Sequence, residues 1–444
     1  MKTCKGGFVI AIAALACVWA TRTQVSAQAG SIPASTQRRS PTPAAARQLT
    51  VVVRAAPPDD VTSSIHDVVD TIKPKAPEAA QKLATSTTAV AGSGFVVQGH
   101  DGRALVVTDR DFVDRADHVQ VTGDDGRTYE GNPVYIDSDY GIALVEFVGA
   151  APFDEGLQLE SSQPVDGQAV QAAGYAGLGQ EQSWRVANGT VRDACVDVGK
   201  AGRCLIEHDA SMDEGNSGGP LLDDAGHVLG INVMSDRSHA SLAVPSSVIA
   251  AALTAVHRIS DSQSDPQWKA DQLVQSCQQL KTELASAEPK LHLLERMMSS
   301  HFFAHDPQEL AVVYAVTLRL QAEHEELRDI PLLPLLRLGA GALLWDALQS
   351  AGGLAADESC TGIDPGDRAE ITHAEQVRQT VKLANGDTVE LAWRFEHGRW
   401  HFAAMSLVQE NEGGPKDQDQ DAGPHGGGVI WRTSMHRAPG ADLE

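Results

Sequence analysis

The chain has 444 residues, 42% of them hydrophobic, and a formal net charge of −24. That length suffices for two or three domains and that apolar fraction for a sizeable core. The negative charge argues against a nucleic-acid partner, and its spread along the chain reads as ordinary solubility.

Taken in order, the N-terminus reads as a secretory signal over residues 1–27. Lys2 and Lys5 form a positive start and Phe8 to Ala20 an apolar run too short for a comfortable membrane span. Val25-Ser26-Ala27 is a small-residue cleavage site, with Ala27-Gln28-Ala29 as the alternative. Cys17 follows Leu15-Ala16, but Ala14 is a poor start for a lipid-attachment motif. The expected compartment is the periplasm or the exterior, with no membrane span after signal removal. Residues 28–60, rich in Ala, Pro, Ser, Thr and Arg, read as a flexible linker. Ile65, Val68, Val69 and Ile72 recur at helical spacing, and Pro74 ends that helix.

From about 84 to 259 short apolar or alternating runs recur between Gly, Asp and Asn turns. Examples are Gly94 to Val97, Ala104 to Thr108, Ile142 to Phe147, Cys204 to His208 and Val228 to Val233. Many short strands without intervening helices predict an all-β barrel or sandwich. Signal removal leaves Cys195, Cys204, Cys277 and Cys360, which an exported chain would oxidise in one of three pairings. Cys195 and Cys204 flank a hairpin-tip sequence and are expected to pair, leaving Cys277 with Cys360.

Residues 266–349 are helical in pattern, with Asp265-Pro266 and Asp306-Pro307 as helix starts. Leu310, Val313, Tyr314, Thr317 and Leu320 share a face. Pro331 to Ala347 is apolar, but Pro334, Arg337 and Asp346 make it a buried helix rather than a span. His301 and His305 lie four apart, but no third ligand stands at a matching spacing, so no metal site or other cofactor is assigned. Residues 376–408 read as a three-stranded meander turning at Asn385-Gly386 and His397-Gly398. A separate α+β domain is thus expected over 262–409, helices first and then the meander, with a disordered tail over 410–444.

The chemistry concentrates in Gly215-Asn216-Ser217-Gly218-Gly219-Pro220. Glycines on both sides of a serine permit a tight turn that presents its hydroxyl and aims the N–H groups of Gly215 and Ser217 at one point as an oxyanion hole. Together with Gly92-Ser93-Gly94-Phe95, Ala173-Gly174-Tyr175 to Gly179, His208-Asp209-Ala210, Gly226 to Asn232 and Leu242-Ala243-Val244-Pro245, this segment keeps an ordered set of motifs. The set resembles the protease domain of the HtrA family of trypsin-like serine proteases. The resemblance implies two β-barrels within residues 61–260, with Ser217 as the nucleophile. The family's PDZ domain is not recognisable afterwards.

The resemblance also implies what is missing. The family's Thr-Asn-x-His-Val stretch is matched by Thr108-Asp109-Arg110-Asp111-Phe112, which puts Asp111 at the position of the general-base histidine. Its orienting aspartate begins a strand matched by Gly141-Ile142-Ala143-Leu144, which puts Gly141 at that position. A serine hydroxyl is a poor nucleophile without a base. The leading expectation is therefore a pseudoprotease that binds polypeptide segments or a partner protein in the relic cleft, with Ser241, Leu242 and Ala243 as the strand that would pair with an extended peptide. Two alternatives stand beside it: an active serine endopeptidase using Ser217 with an unconventional base, and a structural carrier for the C-terminal domain.

Overall fold

In the second half of the protease-like region, short runs of small, branched apolar residues form strands whose inward side chains fill a barrel. The computed structural model describes residues 43–407, apart from 115, 117, 178–181, 198–202, 214, 234–240, 263–266, 286–296, 302–306, 325–326, 328–331 and 356–375. The expected signal peptide, the start of the linker, the C-terminal tail, Cys360 and His305 lie outside those residues.

Two closed six-stranded antiparallel barrels organise the first part. The first contains β1 (Thr50–Ala55), β2 (Val90–Gln98), β3 (Ala104–Asp109), β4 (Val119–Thr122), β5 (Thr128–Asp137) and β6 (Ile142–Phe147), in the order β1-β2-β3-β6-β5-β4. Val51, Val53, Val96, Val106, Val121 and Val145 fill its interior. The second contains β7 (Ala169–Ala176), β8 (Ser183–Asp197), β9 (Cys204–His208), β10 (Pro220–Leu222), β11 (Val228–Val233) and β12 (Ser241–Pro245), in the order β10-β11-β12-β9-β8-β7. Ala172, Val191, Ile206, Leu221 and Leu229 fill this one. A third cluster joins Phe95, Leu144 and Ile231 to Ile249, Leu253 and Val256 of a helix over Ser246–Ser262.

Chain order adds α1 (Pro43–Gln48), α2 (Asp59–Ile72), α3 (Pro77–Ser86), α4 (Arg110–Val113), α5 (Ser246–Ser262), α6 (Trp268–Leu284), α7 (Pro307–Glu323) and α8 (Leu332–Ser350). The three-stranded sheet of β13 (Gln376–Lys382), β14 (Thr388–Glu396) and β15 (Arg399–Leu407) follows. Its second turn needs His397 at φ 51° and Gly398 at φ 80°, the paired left-handed conformation of a tight hairpin. In β14, Val389, Leu391 and Trp393 alternate into a core shared with α6 and α8. Gly339 of α8 admits α7 so closely that an added Cβ would lie 2.3 Å from Thr317 Oγ1. Among the described residues no helix is long and apolar enough to cross a membrane.

Two expected boundaries differ from the structure. The stretch expected as linker contributes β1, whose Val51 and Val53 are buried between β2 and β4. The helix after it, α2, places Val61, Ile65 and Val68 in the core of the C-terminal α+β region rather than in a barrel. Cys195 and Cys204 pair as a disulfide across the β8–β9 hairpin. Cys277 is buried and disulfide-bonded, and Cys360, its expected partner, lies outside the described residues.

Candidate active-site cleft

Ser217 stands in a turn that only glycine can build. Gly215 and Gly218 take φ values of 96° and 84°. A Cβ on Gly218 would sit 2.1 Å from the Ser93 carbonyl oxygen, and one on Gly215 would sit 2.6 Å from that of Tyr175. The turn is tied to both barrels. Ser93 N–H donates to the Ser217 carbonyl at 3.0 Å, and Gly218 N–H donates to that of Asn232 at 2.8 Å. Ser93 Oγ donates to the Gly215 carbonyl at 2.6 Å and accepts from Tyr175 N–H at 2.8 Å. Thr108 Oγ1 in turn donates to the Ser93 carbonyl at 2.8 Å. Ser217 itself is 8% exposed. The serine is thus held on a rigid support between the barrels, as acyl-transfer chemistry requires.

The first barrel brings the β3–α4 junction to this turn, for the Cβ built on Gly218 would lie 3.1 Å from Asp109 N. Asp109 caps α4, its carboxylate accepting Asp111 N–H at 2.9 Å. Burial, with the nearby charge of Asp111, pushes the Asp109 carboxyl up to about 7. The sequence contained Asp109 within a motif but assigned it no role, because its desolvation arises only from the fold. Asp111 points outward, with its side chain 61% exposed and 3.4 Å from the Arg110 guanidinium. A side chain turned to solvent is not aimed at the serine hydroxyl as a general base must be.

Gly141 closes the turn before β6. Its φ is 72°, its N–H donates to the Asp137 carbonyl at 2.8 Å, and its carbonyl accepts Arg110 N–H at 2.9 Å. Apart from its chain neighbours, no atom of the described residues lies within 4 Å of where its Cβ would be. The backbone link between Gly141 and Arg110 sets the turn before β6 against the start of α4.

The histidines near in sequence are engaged elsewhere. His100 Nε2 lies 3.1 Å from Thr254 Oγ1, and His118 Nδ1 lies 2.7 Å from Asn132 Oδ1. His208 is buried at the end of β9, and burial pushes it down to about 4 despite Asp209 beside it. His301 Nδ1 lies 2.8 Å from Asp60 Oδ2 on α2. His397 and His401 of the C-terminal sheet do approach α4, lining a cavity of about 10 Å³ with Arg110, Asp114, Ile136, Ser138, Met298 and Arg399. That lining includes neither Ser217 nor Asp111.

The expected peptide-pairing strand requires correction. Ser241, Leu242 and Ala243 lie in β12, which pairs with β9 on one side and β11 on the other. Leu242 faces both Glu207 and Val233, so both of its backbone edges are used. The strand next to the serine is β11. Its pairing with β10 ends at Ile231, and Asn232 exchanges hydrogen bonds with Gly218 and Gly219. Val233 follows directly.

Residues 92–231 match the trypsin-like peptidase domain family. The chain is 31% identical to "Putative serine protease HhoA" of Synechocystis over 35% of this chain and 40% of that protein. It is 31% identical to "Serine protease Do-like HtrA" of Lactobacillus helveticus over 32% and 35%. To "Serine endoprotease DegS" of Escherichia coli it is 30% identical over 33% and 41%. The chain thus spans about two fifths of the length of the relatives it matches. Among solved structures, the active form of the Rv3671c protease from M. tuberculosis aligns with a TM-score of 0.36 at 20% identity, over 48% of this chain and 87% of that one. With the motifs, the barrel order and the glycine-built serine turn, the family match and the similar sequences identify the barrel pair as an HtrA-type trypsin-like serine protease domain.

Proposed function

We propose that this chain is an exported pseudoprotease, which retains the serine turn of its family but uses the cleft to hold polypeptide segments or a partner protein. The observation that carries the reading is Asp111, solvent-facing and beside Arg110, where the family has its histidine. Gly141, without a side chain where the family has its aspartate, agrees with it. Losing triad members lowers kcat on the order of 10⁴–10⁶ and leaves binding and any oxyanion stabilisation. Binding an extended segment needs a backbone edge and no base. In this reading the edge is that of β11 at Val233, beside the serine turn. The C-terminal domain serves as a second interaction module. The Cys195–Cys204 disulfide supports an oxidising compartment, hence the periplasm or the exterior.

A second reading, an active endopeptidase, is favoured by Asp109. Its raised proton affinity and its place behind the serine turn make it the unconventional base to consider. A fluorophosphonate probe applied to the mature protein separates the two. The expected result is no labelling of the wild type and labelling at Ser217 once Asp111→His and Gly141→Asp are combined. Stoichiometric labelling of the wild type, lost in Ser217→Ala, would overturn the pseudoprotease reading. Its further loss in Asp109→Asn would identify the base.

A further inference from the structure

Away from the cleft, three side chains from two segments converge where the linker between the barrels crosses the β10–β11 hairpin. The linker runs beside the start of β11. Glu160 N–H donates to the Val228 carbonyl at 2.9 Å, Val228 N–H donates to that of Gln158 at 2.8 Å, and Leu159 forms a parallel bridge with Val228. Ser246 Oγ, at the start of α5, donates to the Glu160 carbonyl at 2.6 Å. The Glu160 backbone is therefore fixed from both sides. Across from it, the hairpin turn folds over Asp223, with Gly226 at φ 82°.

Each carboxylate has one oxygen anchored and the other turned to a common point. Glu160 Oε1 accepts both N–H and Oγ–H of Ser162 at 2.8 Å. Asp223 Oδ1 accepts the N–H groups of Ala225 and His227 at 2.9 and 2.8 Å. The second oxygens face His227 Nδ1, which is 3.3 Å from Asp223 Oδ2 and 3.7 Å from Glu160 Oε2. All three atoms lie within 4.8 Å of one another, on side chains 14–24% exposed.

These spacings suit two arrangements. Without an ion, His227 Nδ1 and Asp223 Oδ2 form a hydrogen bond at 3.3 Å, at the long end of the usual range. Donor atoms bound at about 2.0–2.1 Å round a tetrahedral ion stand about 3.3 Å apart, near the separations seen. Two anionic oxygens gathered this closely also call for a cation between them. We propose that Glu160, Asp223 and His227 form a binding site for a divalent transition-metal ion of the Zn²⁺ class, with a fourth position open to solvent. One nitrogen with two carboxylate oxygens suits such an ion better than Ca²⁺, which takes six to eight oxygens. The bound ion fastens the interbarrel linker to the hairpin whose first strand leaves the Ser217 turn.

The test uses the full mature protein, stripped with a chelator and titrated calorimetrically with ZnCl₂ and, separately, CaCl₂. The expected result is one zinc equivalent with a Kd in the micromolar range or tighter that weakens at least ~100-fold in both His227→Gln and Glu160→Gln. Glu160→Gln keeps the acceptor for Ser162 and so preserves the linker. Zinc is also expected to raise the melting temperature of the wild type and not of the variants. The proposal is overturned if the wild type takes no zinc in this range, if both variants keep the same stoichiometry and affinity, or if Ca²⁺ binds there as tightly as Zn²⁺.

Discussion

Arg337 of α8 grips Asp114, the residue that ends α4. Its Nη2 pairs with the Asp114 carboxylate and its Nη1 donates to the Asp114 carbonyl at 3.2 Å. Burial favours the protonated form of Asp114, but Arg337 and Arg110 together bring its carboxyl below the usual range. The C-terminal α+β region thereby holds the short helix that carries Asp111. Removing one partner of such a pair strands the other's charge, which typically costs about 3–5 kcal/mol. Arg337→Leu is expected to destabilise by about that much, and adding Asp114→Asn to restore part of it. Urea unfolding followed by tryptophan fluorescence measures both.

Acid should loosen the second barrel through His208. Its side chain is buried, its ring nitrogens make no hydrogen bond among the described residues, and its protonation is pushed down to about 4 by burial. The unfolded chain takes up that proton near pH 6.5, so it binds more protons than the folded chain between pH 6.5 and 4. Stability is full above that window and falls through it by on the order of 3 kcal/mol. His401, also depressed by burial, acts in the same direction. The difference between wild type and His208→Leu isolates the His208 share. Melting temperatures from pH 7.5 to 4 should fall less steeply in the variant.

Two of the left-handed glycines at the cleft should respond differently to alanine. At Gly218 the new Cβ meets the Ser93 carbonyl at 2.1 Å, so the turn must rearrange, at a cost of about 3 kcal/mol or more. At Gly141 the Cβ meets nothing within 4 Å, and only the backbone strain of about 1–2 kcal/mol remains. Thermal melts of Gly218→Ala and Gly141→Ala should rank in that order. An equal effect would mean that the serine turn yields more easily than its contacts suggest.

Ser93 joins the turn to the barrels through one hydroxyl that both donates and accepts. Ser93→Ala leaves the Gly215 carbonyl and Tyr175 N–H without that partner and should cost about 1–3 kcal/mol. Hydrogen exchange of Tyr175 N–H should quicken in this variant, whereas that of strand amides in the first barrel should hold.

Much of this was legible in local pattern. The β14 alternation of Val389, Leu391 and Trp393, the Asn385-Gly386 turn and the Cys195–Cys204 hairpin each depend on neighbours in sequence. β1 was not legible, because six residues behind an Ala- and Pro-rich stretch leave no period to read, and only pairing with β2 and β4 makes them a strand. The helical spacing of α2 was readable, but its partner across the chain was not. The peptide edge was misplaced for a related reason. Sequence shows that Ser241 to Ala243 form a strand, whereas which of its edges are taken depends on β9 and β11. The histidine of the proposed metal site belonged to a recognised motif, but Glu160 is some sixty residues away and nothing in its spacing announces the encounter.

In the proposed pseudoprotease reading, Gly141 also makes the loss of the triad hard to reverse. An aspartate there would have to adopt φ near 72° or force the Asp137–Tyr140 turn open, since Asp137 Oδ1 accepts the N–H groups of Asp139 and Tyr140. Restoring a histidine at Asp111 alone would leave its imidazole unoriented, and restoring the aspartate alone would bring strain without benefit. Each single step back is neutral or harmful, so the turn acts as a ratchet. An engineer rebuilding the protease has to make Asp111→His and Gly141→Asp together, and the second exchange carries the strain of the left-handed turn.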